Sequence, residues 1–166
     1  LQETSVDRAT YNVPFAYRLQ GRLDVVRLEA CWHELVQRHD ILRTRFTEVG
    51  GDLQQEVVEL SGPPWTVVDL RSGPGSQRED RLREHLHRIA SEAFALDRAP
   101  LWRLHAVLLD DTESALGVVF HHALVDEWAL RVVFGELAVL YGAAGESGPR
   151  PPRRVPRYAD YARWQR

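Results

Sequence analysis

Apolar side chains recur along this chain with two different spacings, which predict strands in some segments and helices in others. The spacing is that of strands over residues 11–19, 41–49, 53–60, 65–69, 101–109 and 114–120. It is that of amphipathic helices over residues 24–39, 77–93 and 128–141. The pattern therefore predicts an α/β fold in which helices pack on a sheet.

Local signals place several of these elements more closely. Asp24 is a typical N-cap for the first helix, and Pro14 favours an edge strand or a bulge. Gly50, Gly51 and Asp52 predict a hairpin turn. Residues 114–120 are apolar on both faces, as is typical of an interior strand.

Composition narrows the class of protein. The 166 residues are 44% hydrophobic and 27% charged, which is typical of one globular domain. A net charge of −3 leaves no basic surface for a phosphate backbone, so we expect no nucleic-acid partner. We also expect no membrane contact and a cytoplasmic location, because no apolar run reaches the ~18–20 residues of a membrane span and no signal peptide is evident.

The single cysteine, Cys31, excludes an internal disulfide and a cysteine-cluster metal site. It lies among the apolar positions of the first helix, which favours a buried, unreactive thiol. Motifs for nucleotide binding or for a hydrolase serine are absent from the sequence.

Two histidines, His121 and His122, follow the predicted interior strand, and a helix is predicted to begin near Asp126. Adjacent side chains on a strand point to opposite faces, so only one of the two can face a cleft while the other packs or orients it. Histidine is suited to general-base work, and Asp126 is suited to capping the helix or holding the turn. Such a pair is structural in many proteins, and these residues alone leave both interpretations open.

The other histidines do not predict a metal site. Adjacent histidines on a strand diverge, and no third ligand has suitable spacing. His85 and His87 do not share a helix face, so we expect both on the solvent side, whereas His39 suits the negative end of the first helix. We therefore predict that the chain binds no metal ion.

Three segments, taken in order, resemble core motifs of the condensation domains of nonribosomal peptide synthetases. RHDILRTRF at 38–46 resembles the second motif, FHHALVDEWAL at 120–130 the third, and YADYARWQ at 158–165 the fourth. FALDRAPLWR at 94–103 and the opening YNVPFAYRLQGRLDVVRLEACWHELVQRH at 11–39 also resemble the connecting sequence of that family. The resemblance covers nearly the whole chain, and both ends look cut.

The resemblance implies a fold similar to chloramphenicol acetyltransferase, in which two subdomains enclose the active site. Residues 1–147 would form the N-terminal subdomain, with a mixed sheet and packed helices. Residues 148–166 would be a Pro-rich linker and the YADYARWQ segment, leading to the C-terminal subdomain.

The resemblance also implies a reaction and its residues. An amide forms between a donor acyl or peptidyl thioester and an acceptor aminoacyl thioester. The domain binds no cofactor, because upstream and downstream peptidyl carrier proteins supply the phosphopantetheine. His122 matches the catalytic position, His121 and Asp126 match supporting positions, and Arg43 is expected to pair with Asp126.

One residue departs from the family pattern HHxxxDG, because Glu127 stands at the glycine position. Its bulk and charge would modify the acceptor channel, or else it would simply begin the helix, where a carboxylate suits the dipole. The alternatives to condensation are a docking platform for a tailoring enzyme and an epimerisation-type or other HHxxxD acyltransferase. An adenylation domain is a further expected partner.

Overall fold

A computed structural model describes residues 8–60, 62 and 64–143. The strands are β1 Asn12–Gln20, β2 Thr44–Val49, β3 Asp52–Val57, β4 Trp65–Asp69, β5 Trp102–Leu108 and β6 Glu113–His121. The α-helices are α1 Val25–Arg38, α2 Gly75–Ser91 and α3 Glu127–Gly142. Short 3-10 helices occupy Arg8–Tyr11 and Asp40–Arg43. The predicted linker and the YADYARWQ segment lie outside the described residues.

These elements form two compact units, of which one contains β1, β4, α2, β5 and β6 and the other α1, β2, β3 and α3. The division falls between Ala123 and Leu124, within the FHHALVDEWAL segment. The expectation that residues 1–147 form one subdomain stays a prediction.

The first unit is built on a four-stranded sheet in the order β1-β6-β5-β4. β6 pairs antiparallel with β1 and with β5, whereas β4 pairs parallel with β5, so the predicted mixed sheet is confirmed. β6 is interior, as its two apolar faces predict, and Ser114–His121 are all buried. Pro14 lies in β1, an edge strand of this sheet.

Helix α2 packs on one face of the sheet and buries a compact apolar cluster with it. The cluster consists of Leu70, Leu82, Val107, Leu109 and Ala115, with Val68 and Leu86 packed against it. Gly117 on β6 allows a close approach of α2, because a Cβ there would lie 2.6 Å from Cδ2 of Leu86 and 3.1 Å from Cδ1 of Ile89. The opposite, charged face of α2 is exposed, as the sequence predicts.

The second unit joins α1 to α3. Asp24 caps α1 by accepting the N–H of Arg27 at 3.0 Å, as predicted, and its own N–H donates to the hydroxyl of Tyr141 on α3. At the other end of α1, Glu136 of α3 accepts hydrogen bonds from Arg38 at 3.1 Å and contacts Nε2 of His39 at 3.0 Å. Polar contacts therefore fasten both ends of the α1–α3 pair.

The β2–β3 hairpin turns through Gly50 and Gly51, whose φ angles of 64° and 87° are those of the predicted tight turn. The predicted strand over 41–49 is wrong at its start, because residues 40–43 form a 3-10 turn. There the N–H of Leu42 donates to the His39 carbonyl, and the hydroxyl of Thr44 donates to the Asp40 carbonyl. The apolar pair Ile41 and Leu42, of which Leu42 is buried in the turn, has the pattern that a strand start would have.

Candidate functional site

At the end of β6, hydrogen bonds from opposite sides hold the backbone of His121 and His122. The N–H of His121 donates to the carbonyl of Leu101 at 2.8 Å, and the N–H of His122 donates to the carbonyl of Tyr11 at 2.8 Å. The side chains diverge as expected for neighbours on a strand, because His121 is 8% exposed whereas His122 is exposed. His122 is therefore presented at the surface of the first unit on a fixed backbone.

His121 sits in an aromatic environment. Its ring centroid lies 5.9 Å from that of Tyr11, at a tilted angle, and 6.2 Å from that of Phe94, nearly perpendicular. Burial lowers the pKa of His121, and electrostatic repulsion from the neighbouring His122 lowers it further. His121 is consequently neutral at neutral pH.

One hydrogen bond fixes the tautomer of that neutral ring. Nδ1 of His121 accepts the backbone N–H of Ala123 at 3.1 Å. An accepting nitrogen carries no proton, so the ring proton is on Nε2. His121 thereby ties down the amide that follows His122, which fits the supporting role expected from the sequence.

Asp126 acts locally in the second unit as the N-cap of α3. Its Oδ1 accepts the N–H of Ala129 at 2.7 Å. Glu127, the first residue of α3, is exposed and pairs with Arg131 one turn later at 3.2 Å. Trp128 follows with 74% of its surface exposed, a feature that the sequence analysis did not single out.

Arg43 is buried, but its partners differ from the one expected. Its guanidinium donates to the Val36 carbonyl at 3.2 Å, to Asp40 at 2.7 Å and to Glu59 at 3.3 Å. The expected ion pair with Asp126 is not among the contacts of the described residues, because Asp40 is only three positions away and satisfies the guanidinium locally. Arg43 therefore joins the end of α1 to the 3-10 turn.

A second histidine pair lies away from these residues, between α2 and β5. Nε2 of His85 and Nδ1 of His105 are 3.1 Å apart, and Arg88 lies 3.3 Å from the other nitrogen of His85. His87 is exposed as predicted, but the solvent-side prediction for His85 is wrong, because its ring is half-buried against His105. His105 escaped the sequence analysis because one polar residue in an apolar strand carries no spacing signal.

Two other features of the described residues bear on chemistry. Burial raises the pKa of the Cys31 thiol, which disfavours the reactive thiolate. Over the part of the chain that the structure describes, no group of three or more His, Cys, Asp and Glu side chains is placed to hold a metal ion. No helix among these residues is both long enough and apolar enough to cross a membrane.

The domain that carries the histidine pair is assigned to a family by comparison with protein-family models. The family model of the condensation domain matches residues 1–166, the whole of this sequence. The chain belongs to the condensation-domain family of nonribosomal peptide synthetases. The family expected from the three sequence motifs is thus confirmed.

Individual relatives agree with this assignment. Malpinin synthetase of Mortierella alpina is 36% identical over 159 residues, which are 95% of this chain and 2% of that protein. The X-domain solved in complex with OxyB from teicoplanin biosynthesis is 32% identical with a TM-score of 0.81, over 98% of this chain and 34% of that one. The chain thus spans a small part of its curated relatives and about a third of the solved chain.

A more distant structure confirms the fold class. The starter condensation domain of rhizomide synthetase RzmA has a TM-score of 0.83 at 16% identity, over 96% of this chain and 39% of that one. At that identity the likeness shows the fold alone, which is the predicted chloramphenicol acetyltransferase-like α/β type. The sequence HHALVD at 121–126 has the HHxxxD form on which the resemblance was based.

Proposed function

We propose that this condensation domain forms an amide bond between two carrier-bound thioesters, with His122 as its catalytic residue. The observation that carries the proposal is the contrast between the two histidines: His121 is buried, neutral and locked by Ala123, whereas His122 is exposed on a backbone held by Tyr11. Only His122 is accessible to a substrate. Family membership supplies the reaction class.

The reaction follows ordinary acyl-transfer chemistry. The acceptor amine attacks the thioester carbonyl of the donor, the C–N bond forms, the C–S bond breaks, and the donor phosphopantetheine leaves as a thiol. The nitrogen loses one proton, and the departing sulfur needs one. An imidazole accepts and returns a proton near neutral pH, and at this position it also orients the amine by a hydrogen bond.

The partners follow from this reaction. An upstream peptidyl carrier protein brings the donor and a downstream one brings the acceptor, each on its own phosphopantetheine. The C-terminal subdomain of the same condensation domain and an adenylation domain that loads the acceptor carrier complete the proposed assembly. In this proposal the condensation domain itself contributes only side chains to the reaction.

The test is product formation by the full-length protein with loaded donor and acceptor carriers. We expect the wild type to form the amide and His122→Ala to lose at least a hundredfold in kcat, within the range of general acid–base contributions. His87→Ala, a change at an exposed histidine on α2, is the matched control and should keep full activity. Equal activity of wild type and His122→Ala would refute the assignment. Inverted stereochemistry in place of amide formation would favour an epimerisation-type domain.

A second candidate function is the docking of a tailoring enzyme. Two observations favour it: the 32% identity to an X-domain that was solved with OxyB, and Glu127 at the glycine position of the motif. Glu127 is exposed and held by Arg131, so its charge is kept at the start of α3.

The variant Glu127→Gly separates the two candidates. If the wild type forms no amide but Glu127→Gly does, Glu127 has closed a condensation site. If neither forms amide and the wild type binds an oxidative tailoring enzyme in a pull-down with purified proteins, docking is the function. If both form amide, condensation stands and Glu127 serves as the first-turn carboxylate of α3.

A further inference from the structure

Arg103 on β5 fastens the segment that follows α2. Its Nη1 and Nη2 donate to the carbonyls of Glu92 and Ala93 at 2.8 Å and 2.9 Å, and its Nε lies 3.4 Å from the carboxylate of Glu92. Its guanidinium carbon lies 3.8 Å from the centre of the Phe94 ring. A single planar guanidinium thus fixes three consecutive residues, which the point charge of a lysine cannot do.

Phe94 passes this constraint to the histidine pair. Its ring meets that of His121 edge to face, with an interplanar angle of 88°. A second tie comes from β1, where the side-chain amide of Asn12 donates to the carbonyls of Ala90 and Glu92. The segment is therefore held from β5 and from β1, with Phe94 directed at His121.

His121 connects Phe94 to the backbone around His122. Its Nδ1 accepts the N–H of Ala123, and the residue between them in the chain is His122. If the ring of His121 rotates, that acceptor is lost and the backbone on the C-terminal side of His122 is released. The orientation of His122 thus depends on a ring whose walls are Tyr11 and Phe94.

We propose that Arg103 and Phe94 are positioning residues for the condensation reaction: they hold the ring of His121, which holds the Ala123 amide and so the backbone that presents His122. This inference rests on the proposed role of His122. Neither residue is assigned contact with substrate, and the effect travels through packed groups of the first unit.

The arrangement gives the positioning role a pH signature. His121 accepts from Ala123 only while Nδ1 is unprotonated, and its burial keeps it so. Among the described residues, the charged or titratable groups placed around it are Tyr11 at the end of the first 3-10 helix, His122 next to it in the chain and Arg103 behind Phe94. Removing the Phe94 ring admits water to the ring of His121. Because burial is what lowers the pKa of His121, the hydrated ring takes up its proton at a higher pH.

The experiment measures the pH profile of kcat for the full-length protein with loaded carriers. For Phe94→Leu we expect kcat to fall on the order of 10- to 100-fold with little change in KM, because a displacement of about 1 Å costs that much. We also expect its acid limb to move to higher pH. Phe94→Tyr keeps the ring and should restore both. Arg103→Gln should lower kcat, Arg103→Lys should not rescue it, and Arg83→Gln, at an exposed arginine of α2, is the matched control.

The outcomes separate this inference from the proposed function. A wild type that forms no amide overturns the proposed function and, with it, the positioning role. An active wild type whose Phe94→Leu and Arg103→Gln variants keep its kcat and its acid limb overturns only the positioning role. A thermal unfolding midpoint for each variant identifies misfolding; if Phe94→Leu is unfolded, Arg103→Gln decides.

Discussion

His85 and His105 share a single hydrogen bond between α2 and β5, with 3.1 Å between Nε2 of one ring and Nδ1 of the other. The rings meet edge to face with their centroids 5.0 Å apart. Burial lowers the pKa of His105 to about 4, with a further contribution from electrostatic repulsion between the two rings, and burial also lowers the pKa of His85. The contact therefore belongs to two neutral imidazoles.

This pair predicts that stability declines with acidity. The pKa of His105 is about 4 in the folded chain and near 6.5 in the unfolded one, so between these values the unfolded state binds the extra proton. We expect the free energy of unfolding to fall as pH falls from about 6.5 to 4. Urea denaturation at several pH values measures it. His105→Gln should flatten this dependence while His87→Gln leaves it unchanged; an equally steep curve for His105→Gln would refute the prediction.

Gly117 predicts a packing limit between β6 and α2. A Cβ at this position comes within 2.6 Å of Leu86, so Gly117→Ala should destabilise the chain by about 1–3 kcal/mol as the helix or the Leu86 side chain shifts. Gly135→Ala on α3 is the matched control, because no atom lies within 4 Å of the new methyl group. That change should stabilise by about 0.5–1 kcal/mol. Chemical denaturation distinguishes the two, and equal effects would contradict the proposed close approach.

Because Arg43 is buried, we expect its replacement to cost more stability than the replacement of its neighbour Arg45. Arg43→Ala removes buried hydrogen bonds to Val36 and Asp40 and should cost roughly 1.5–3 kcal/mol of stability. Arg45→Ala removes an exposed pair with Glu56 on the hairpin and should cost no more than about 1 kcal/mol. The midpoints of urea unfolding compare the two variants. Similar midpoints would mean that the buried contacts of Arg43 contribute little.

The N-cap contact of Asp126 predicts an effect on stability that can be separated from any effect on activity. Asp126→Ala loses the acceptor for the Ala129 N–H and should destabilise α3 by about 0.5–2 kcal/mol, whereas Asp126→Asn keeps a side-chain oxygen and most of that stability. Circular dichroism during thermal unfolding measures both. An Asp126→Asn variant that is fully folded yet inactive in the carrier assay would show that the charge of Asp126 matters beyond the cap.

The fold was largely predictable from the sequence, because its strongest signals are local. The apolar spacing and Asp24 predicted α1, and the two glycines predicted the β2–β3 turn. The 3-10 turn at Asp40–Arg43 was not predictable from spacing, because its apolar pair Ile41 and Leu42 has the pattern of a strand start. The start of α2 at Gly75 was also missed, since Pro74 lacks the side-chain acceptor of a typical N-cap.

The candidate site was predictable as a motif but not as a set of contacts. The divergence of His121 and His122 follows from strand geometry alone. The partners of Arg43 and the contact between Phe94 and His121 do not, because each depends on segments that are distant in sequence or on competition between nearby carboxylates. Long-range pairings of this kind leave no periodic trace in the chain.

Pro14 has a consequence for self-association. The N–H of His122 donates to Tyr11 and that of Gly21 donates to Thr112, so the odd-numbered positions of β1 bond to β6 and the even-numbered ones point away from it. Proline carries no N–H, so Pro14 interrupts the row of outward donors that another strand would need. The edge of the sheet nearest the histidine pair is thereby a poor template for intermolecular β-pairing and aggregation.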